Sequence, residues 1–523
     1  MLSLGASALA DSSAMPHIEK QNGRYALFVD GAPYLMLGAQ VHNSSAWPAM
    51  LPKVWPAMKA LHVNTVEIPV YWEQIEPVQG KFDFSLVDVL LQQAREHNVR
   101  LDLLWFATWK NGSGHYQPEW MKLRPDLYPR MVGVDGKLID SPSPHSIPAM
   151  KADCNAFAHL MGHLKEEDPQ HTVIIVQVEN EPGTWGGIRD HASIGQKLFD
   201  APVPADLLAA LHVGQPGNTW TQAFGRDADE FFHAYSVAHY IGQVAAAGKA
   251  VYPLPMYVNA SLRDPVNPEW PPHYEVGGAT DNVLSIWKAA APAIDILAPD
   301  IYISDPQKYQ VVLDHYARPD NPLFVPETGG DVSRFLYSAL DRGTIGFSPF
   351  GMDYTGFPVP ADSFSDGSEH LETFLAPYAL NYIQLGPIMR EVARLNFEGK
   401  LRATAELPGE ASTKLDFDGW TANVEYGAAR FDAPKGNEKP QGRALVAQLA
   451  PDQFLVTGNF CKILFHPKSG LPWQYLKVEE GTYENGVFKP YRIWNGDETD
   501  WGINFKELPQ VLRVSLYEIH QLQ

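Results

Sequence analysis

The chain has 523 residues, of which 45% are hydrophobic and 19% charged, and its net charge is −21. That length exceeds one ordinary core and suits a barrel of about 250–400 residues with a smaller domain beside it. The acidity argues against nucleic acid, whose binding needs basic patches. It also fits an acidic polysaccharide poorly and points to a neutral substrate.

Fourteen Trp are present. That number suits a carbohydrate binder, since sugar rings stack on flat apolar faces, although the ordinary place of any one Trp is the core. Two cysteines, Cys154 and Cys461, exclude a disulfide framework and a cysteine-based metal site. No run reaches the roughly 20 apolar residues of a membrane span. The 18 histidines show no HExxH spacing, and no Gly-rich loop ends in Gly-Lys-Ser/Thr, so neither metal nor cofactor is expected.

In chain order, residues 1–14 (MLSLGASALADSSA) resemble the back half of an export signal, with a short apolar run and an ALA site but no basic segment before it. The reading is an exported, periplasmic enzyme with residues 1–16 as a tail. An unstructured N-terminus of a cytoplasmic protein is the alternative. Residues 17–399 alternate short apolar strands with helical patterns, which predicts an α/β fold with parallel strands. Strands are predicted at 34–40, 65–70, 100–106, 173–178, 255–258, 294–298, 322–325 and 344–348. Eight is the number that a (β/α)8 barrel requires. Helices are predicted at 54–61, 85–97 and 227–247, and a long one at 369–395 ends the barrel. The Gly-, Pro- and Ser-rich segment 110–148 follows the third strand, at the end where barrels build their sites. Residues 400–523 alternate strand-like runs with Gly, Asp, Asn and Pro turns, predicting an antiparallel β domain.

Two segments carry the chemistry: 174–187 (IIVQVENEPGTWGG) and 323–331 (LFVPETGGD). Each is an apolar run ending abruptly in a glutamate. A barrel aims carboxylates from two such strand ends into one pocket, the arrangement that glycoside hydrolysis needs. Glu181 is the predicted acid/base, because the amide of Asn180 before it can hold a sugar 2-hydroxyl. Glu327 is the predicted nucleophile. Glu179 is assigned to packing in the barrel mouth, paired with an Arg or Lys. Tyr302 is read either as a phenol donating to the nucleophile or as a wall aromatic. Gln40 and His42 after strand one, Trp109 and Asn111 after strand three, and Asn259 after strand five are predicted to contact the sugar. Trp185 is expected on the leaving-group side.

The segment Trp55, Met58-Lys59-Ala60-Leu61, Asn64-Thr65-Val66-Glu67, then Trp72, Glu76-Pro77 and Gly80-Lys81-Phe82-Asp83-Phe84, resembles the β-galactosidases of glycoside hydrolase family 35. Gln177-Val178-Glu179-Asn180-Glu181 matches that family's acid/base motif, while Trp105 and Thr108-Trp109-Lys110-Asn111-Gly112 resemble family 42 more closely. The resemblance spans roughly residues 30–350. It implies a (β/α)8 barrel, a retaining mechanism, no metal and removal of terminal β-galactose. The C-terminal region resembles the β domain of a bacterial branch of family 35. Two departures bear on sugar specificity. Trp72-Glu73-Gln74-Ile75-Glu76-Pro77 replaces Trp-Asn-x-His-Glu-Pro, and Ala107-Thr108-Trp109 stands where many members carry a sugar-binding Glu.

The expected reaction is attack by Glu327 on the anomeric carbon while Glu181 protonates the glycosidic oxygen, followed by hydrolysis of the covalent intermediate with Glu181 as base. The rival readings are a retaining glycosidase for a glucoside, mannoside or fucoside, and a non-catalytic carbohydrate-binding protein. A homo-oligomer is left open.

Overall fold

The computed structural model describes residues 14–330, 332–353, 368–428 and 433–520. The stretch read as an export-signal remnant, residues 1–13, lies outside them. Eight parallel strands follow one another around a barrel: β1 Met36–Gln40, β2 Thr65–Tyr71, β3 Arg100–Lys110, β4 Val173–Asn180, β5 Met256–Ala260, β6 Ile296–Ile301, β7 Glu327–Thr328 and β8 Gly346–Phe347. Their order in the sheet runs from β7 back to β1 and on to β8. A parallel bridge between Val325 and Phe347 joins β7 to β8. A short antiparallel sheet, His17–Gln21, Arg24–Val29 and Ala32–Tyr34, precedes the barrel.

The predicted α/β barrel is therefore present, with shifts at strand ends that have local causes. Proline lacks an N–H, so Pro322 and Pro326 interrupt the ladder of the seventh strand. Residues on one side of Pro326 bond to the eighth strand, Val325 N–H donating to Gly346 O at 3.2 Å. Those on the other side pair with β6, Asp300 opposite Glu327. The long helix predicted at 369–395 is two, Ser368–Leu385 and Met389–Phe397, parted by a 3₁₀ turn over Gly386–Ile388. Pro387 lies in that turn and accounts for the break.

The helix Ser85–Glu96 shows why these segments dock. Leu86, Val87, Leu90, Leu91 and Ala94 are buried at intervals of three and four, so one stripe faces the strands. Helices Ile147–Glu167 and Ala228–Val251 pack against each other and against β3 and β4 respectively. The apolar core is continuous from the barrel into the C-terminal region.

That region holds two antiparallel sheets, one of six strands and one of four. Strand Arg443–Ala450 explains how they stack. Alternate side chains of a strand face opposite ways. Leu445 and Ala447 join the core shared with the barrel, whereas Ala444 and Val446 pack against Trp420, Ile463 and Phe465 of the four-stranded sheet. Gln384 from the barrel-closing helix donates to Gly458 O at 3.2 Å. Among the described residues both cysteines are free, Cys154 in a barrel helix and Cys461 in the four-stranded sheet.

Candidate active site

At the end of β4 the chain leaves extended geometry twice. Glu179 has φ +64° and Glu181 φ +40°, the left-handed region that non-glycine residues avoid at a cost of about 1–3 kcal/mol each. Neighbouring strands hold this turn. The Trp109 N–H donates to Glu179 Oε2 at 2.7 Å, the Gly112 N–H to Glu181 O at 3.1 Å, and the Glu181 N–H to Asn259 Oδ1 at 2.9 Å. Three hydrogen bonds, two from β3 and its turn and one from β5, hold this strained turn and with it the Glu181 carboxyl at the barrel mouth. Both Glu181 and Glu327 are buried.

One carboxyl oxygen from each of Glu181, Asp300 and Glu327 lies within 4.8 Å of the other two. The Tyr302 hydroxyl donates to Glu327 Oε1. Asn259 Nδ2 donates to Asp300 Oδ2 at 2.7 Å, and Lys110 Nζ donates to Asn180 Oδ1 at 2.7 Å. Burial first, and the charge of Glu327 second, push the Glu181 carboxyl up to about 7, against the opposing pull of Lys110 and a hydrogen bond with Asp300. Burial and the neighbouring carboxylate of Glu327 likewise raise the Tyr302 phenol. The site thus holds one carboxyl that keeps its proton near neutrality beside another that accepts a phenol hydrogen bond.

The other predicted residues fall into different places. Trp185 is half exposed and free to contact a ligand, and Asn111 is exposed on the turn after β3. Gln40 is buried. His42 bonds to Asp353 through its ring and backbone, the N–H reaching Asp353 Oδ2 at 3.3 Å, and packs edge-on against Phe350. Asn259 spends both ends of its amide on Glu181 and Asp300, so it orients the site from behind. Trp109 is fully buried against Tyr240, its ring 4.8 Å away, and cannot stack on a sugar. Among the described residues no cation pairs with Glu179. It faces Asp153, and burial and that neighbour hold it well above the usual carboxylate range.

Three contributors were not predicted. Asp300 precedes Tyr302 on β6 in an apolar strand, where parity alone could have flagged it as inward-facing. Lys110 ends β3, which runs four residues past its predicted end. Glu275, in the loop after β5, lies against Gly112, whose added Cβ would come 2.7 Å from Glu275 Oε1. Burial and the Glu181 charge raise Glu275 well above its ordinary range. No local signal marks a loop glutamate that reaches the site through folding.

The three converging oxygens also have a spacing that a divalent cation accepts. Hard cations, however, take about six or more oxygen ligands. The next groups here are the Asn259 amide N–H, the Tyr302 hydroxyl and the Lys110 ammonium, which are donors. That set does not fit a cation.

Fold and site together define a (β/α)8 barrel with facing carboxyls at the ends of its fourth and seventh strands. The sequence profile of a family described as Beta-galactosidase matches residues 44–228, which include Glu181. A second, described as Domain of unknown function (DUF5597), matches residues 378–506. The β-galactosidase of Xanthomonas manihotis is 30% identical over 174 residues, 31% of this chain and 26% of that protein. Beta-galactosidase 14 of Arabidopsis thaliana is 25% identical over 210 residues, 39% of this chain and 21% of its own length. The chain therefore spans about a quarter or less of these relatives. Among solved structures, the β-galactosidase of Bacillus circulans sp. alkalophilus superposes with a TM-score of 0.49 at 14% identity, over 68% of this chain and 57% of that one.

Proposed function

We propose that this protein is a retaining exo-glycosidase that releases terminal β-D-galactosyl residues from oligo- or polysaccharides. The observation that carries the proposal is the approach of Glu181 and Glu327 oxygens to within 4.8 Å. Retaining enzymes hold their carboxyls about 5–5.5 Å apart, whereas inverting ones leave about 6.5–9.5 Å for a water. Glu327, oriented by Tyr302, attacks the anomeric carbon. Glu181 donates its proton to the departing oxygen, and its raised pKa of about 7 suits that task. Water, deprotonated by Glu181, then releases the sugar with retained configuration. Trp185 faces the leaving group. Residues 17–399 form the catalytic unit, and residues 400–523 support it.

Galactose is favoured by the sequence similarity of residues 44–228 to β-galactosidases and by the family 35 resemblance. A second reading, a retaining enzyme for another β-sugar, is favoured by the burial of Trp109. It removes one expected sugar contact on the strand where a family glutamate is also missing. Initial rates on a panel of nitrophenyl β-glycosides, with Glu327→Ala beside the parent, separate the two. Fastest cleavage of the galactoside, abolished in the variant, supports the first reading. Faster cleavage of another sugar replaces the name and keeps the mechanism. Cleavage of none rejects both.

A further inference from the structure

Asp300 sits opposite Glu327 in the β6–β7 ladder, and its carboxyl lies within 4.8 Å of both glutamates. It is 3% exposed. Three like charges at that spacing, shielded from water, cannot all persist. The ammonium that faces them, that of Lys110, is engaged by Asn180 Oδ1 at 2.7 Å.

The orientation of Asp300 is set by Asn259. The Oδ1 of that amide accepts the Glu181 N–H, so its Nδ2 must point to Asp300 Oδ2, and does so at 2.7 Å. Asp300 Oδ1 is buried with no N–H or hydroxyl donor among the described residues. It is an oxygen without a donor, on a carboxyl that lies within 4.8 Å of two others that can accept.

We propose that Asp300 is a positioning residue that stays protonated and donates a hydrogen bond into the Glu181–Glu327 pair, so that the two glutamates can hold different protonation states. The kinetic consequence rests on the glycosidase reading, whereas the protonation itself does not. The titratable groups facing Asp300 are Glu181 just after β4, Glu327 on β7, Lys110 on β3, Tyr302 after β6, Tyr257 on β5 and Tyr316 behind the sheet. Burial, then the charges of Glu327 and Glu181, raise Asp300 well above the ordinary aspartate range, in the same sense. When Glu181 yields its proton to the leaving oxygen, Asp300 keeps its own. Its O–H then stabilises the new Glu181 carboxylate, which serves as base in the second step.

Two variants of the full chain test this. Asp300→Asn keeps both an acceptor for Asn259 and a donor toward the pair. It should hold kcat/KM within about threefold and leave the alkaline limb of the pH profile in place. Asp300→Ala removes the donor. It should lower kcat more than it changes KM and move the alkaline limb upward. Infrared difference spectra at pH 8, above the value of about 7 for Glu181, should show a protonated-carboxyl band in the parent that Asp300→Asn lacks. That band is read without any substrate, so it still decides the proposal if no glycoside is cleaved and the functional reading falls. The proposal is overturned if Asp300→Asn is as damaged as Asp300→Ala, with its alkaline limb lowered by about a unit or more. Identical protonated-carboxyl absorption in the parent and in Asp300→Asn overturns it as well, since the other buried carboxyls raised by the fold, Glu179 and Glu275, contribute equally to both. So does loss of activity on EDTA treatment, which would put a cation where the proton is placed.

Discussion

The backbone N–H of Glu181 donates to the side chain of Asn259 at 2.9 Å, across 78 residues of chain. An amide from the fifth strand thereby fixes the strained turn that carries a carboxyl on the fourth. Truncating Asn259 to Ala should let that turn relax and misplace the Glu181 carboxyl, the acid/base of the proposed reaction. Misplacement by about an ångström costs on the order of 10²-fold in rate. We expect Asn259→Ala to lower kcat by that order with a smaller change in KM, checked by steady-state kinetics with a thermal melt to confirm folding.

In the proposed reaction the raised Glu181 sets the alkaline limb. Protonation of the leaving oxygen needs the acid form, so kcat/KM should fall as pH rises through about 7. A pH–rate profile whose alkaline limb lies well above or below that value would contradict the assignment of Glu181.

Stability carries the same signature with a defined sign. A carboxyl held above its ordinary 4.5 by the fold binds its proton more tightly folded than unfolded. Its favourable contribution is complete below about 4.5 and is lost as pH rises through about 7. The loss is on the order of 3 kcal/mol. Glu181→Gln should therefore be more stable than the parent at pH 8, and the difference should vanish near pH 4. Denaturant melts at the two pH values measure it.

Tyr302 donates its hydroxyl to Glu327 Oε1 and is otherwise half exposed. Removing one preorganised donor of this kind costs about 10²–10³-fold in kcat, while the Phe ring keeps the apolar part of the side chain in place. Tyr302→Phe should lose activity in that range and keep its melting temperature. A large drop in melting temperature would recast Tyr302 as a structural group.

Inside the barrel, a Cβ on Gly38 would stand 2.1 Å from Ser348 Oγ and 3.4 Å from Glu67 Oε1. Overpacking of this kind costs about 1–3 kcal/mol. Gly38→Ala should destabilise the protein by that amount, and adding Ser348→Ala should recover part of it. A double-mutant cycle in denaturant gives the coupling.

Some of the molecule was written in short stretches of chain. The eight parallel strands follow from apolar runs spaced by helical patterns, and the glutamates at positions 181 and 327 from the abrupt end of two such runs. Local rules also account for what differs: Pro326 splits the seventh strand and Pro387 divides the last barrel helix. Backbone chemistry of that kind acts over a few residues, and a sequence shows it directly.

Tertiary structure alone decided which neighbours of those glutamates matter. Trp109 and Asn259 had residue types suited to a sugar, yet Trp109 packs against Tyr240 and Asn259 spends its amide on Glu181 and Asp300. Asp300, Lys110 and Glu275 carried no such mark and converge on Glu181, from β6, β3 and the loop after β5. The residue types at the strand ends determined that two carboxyls would be offered. Closing the barrel determined how far apart they stand and how many other charges share their space, because electrostatic environment depends on distance and burial rather than on position along the chain.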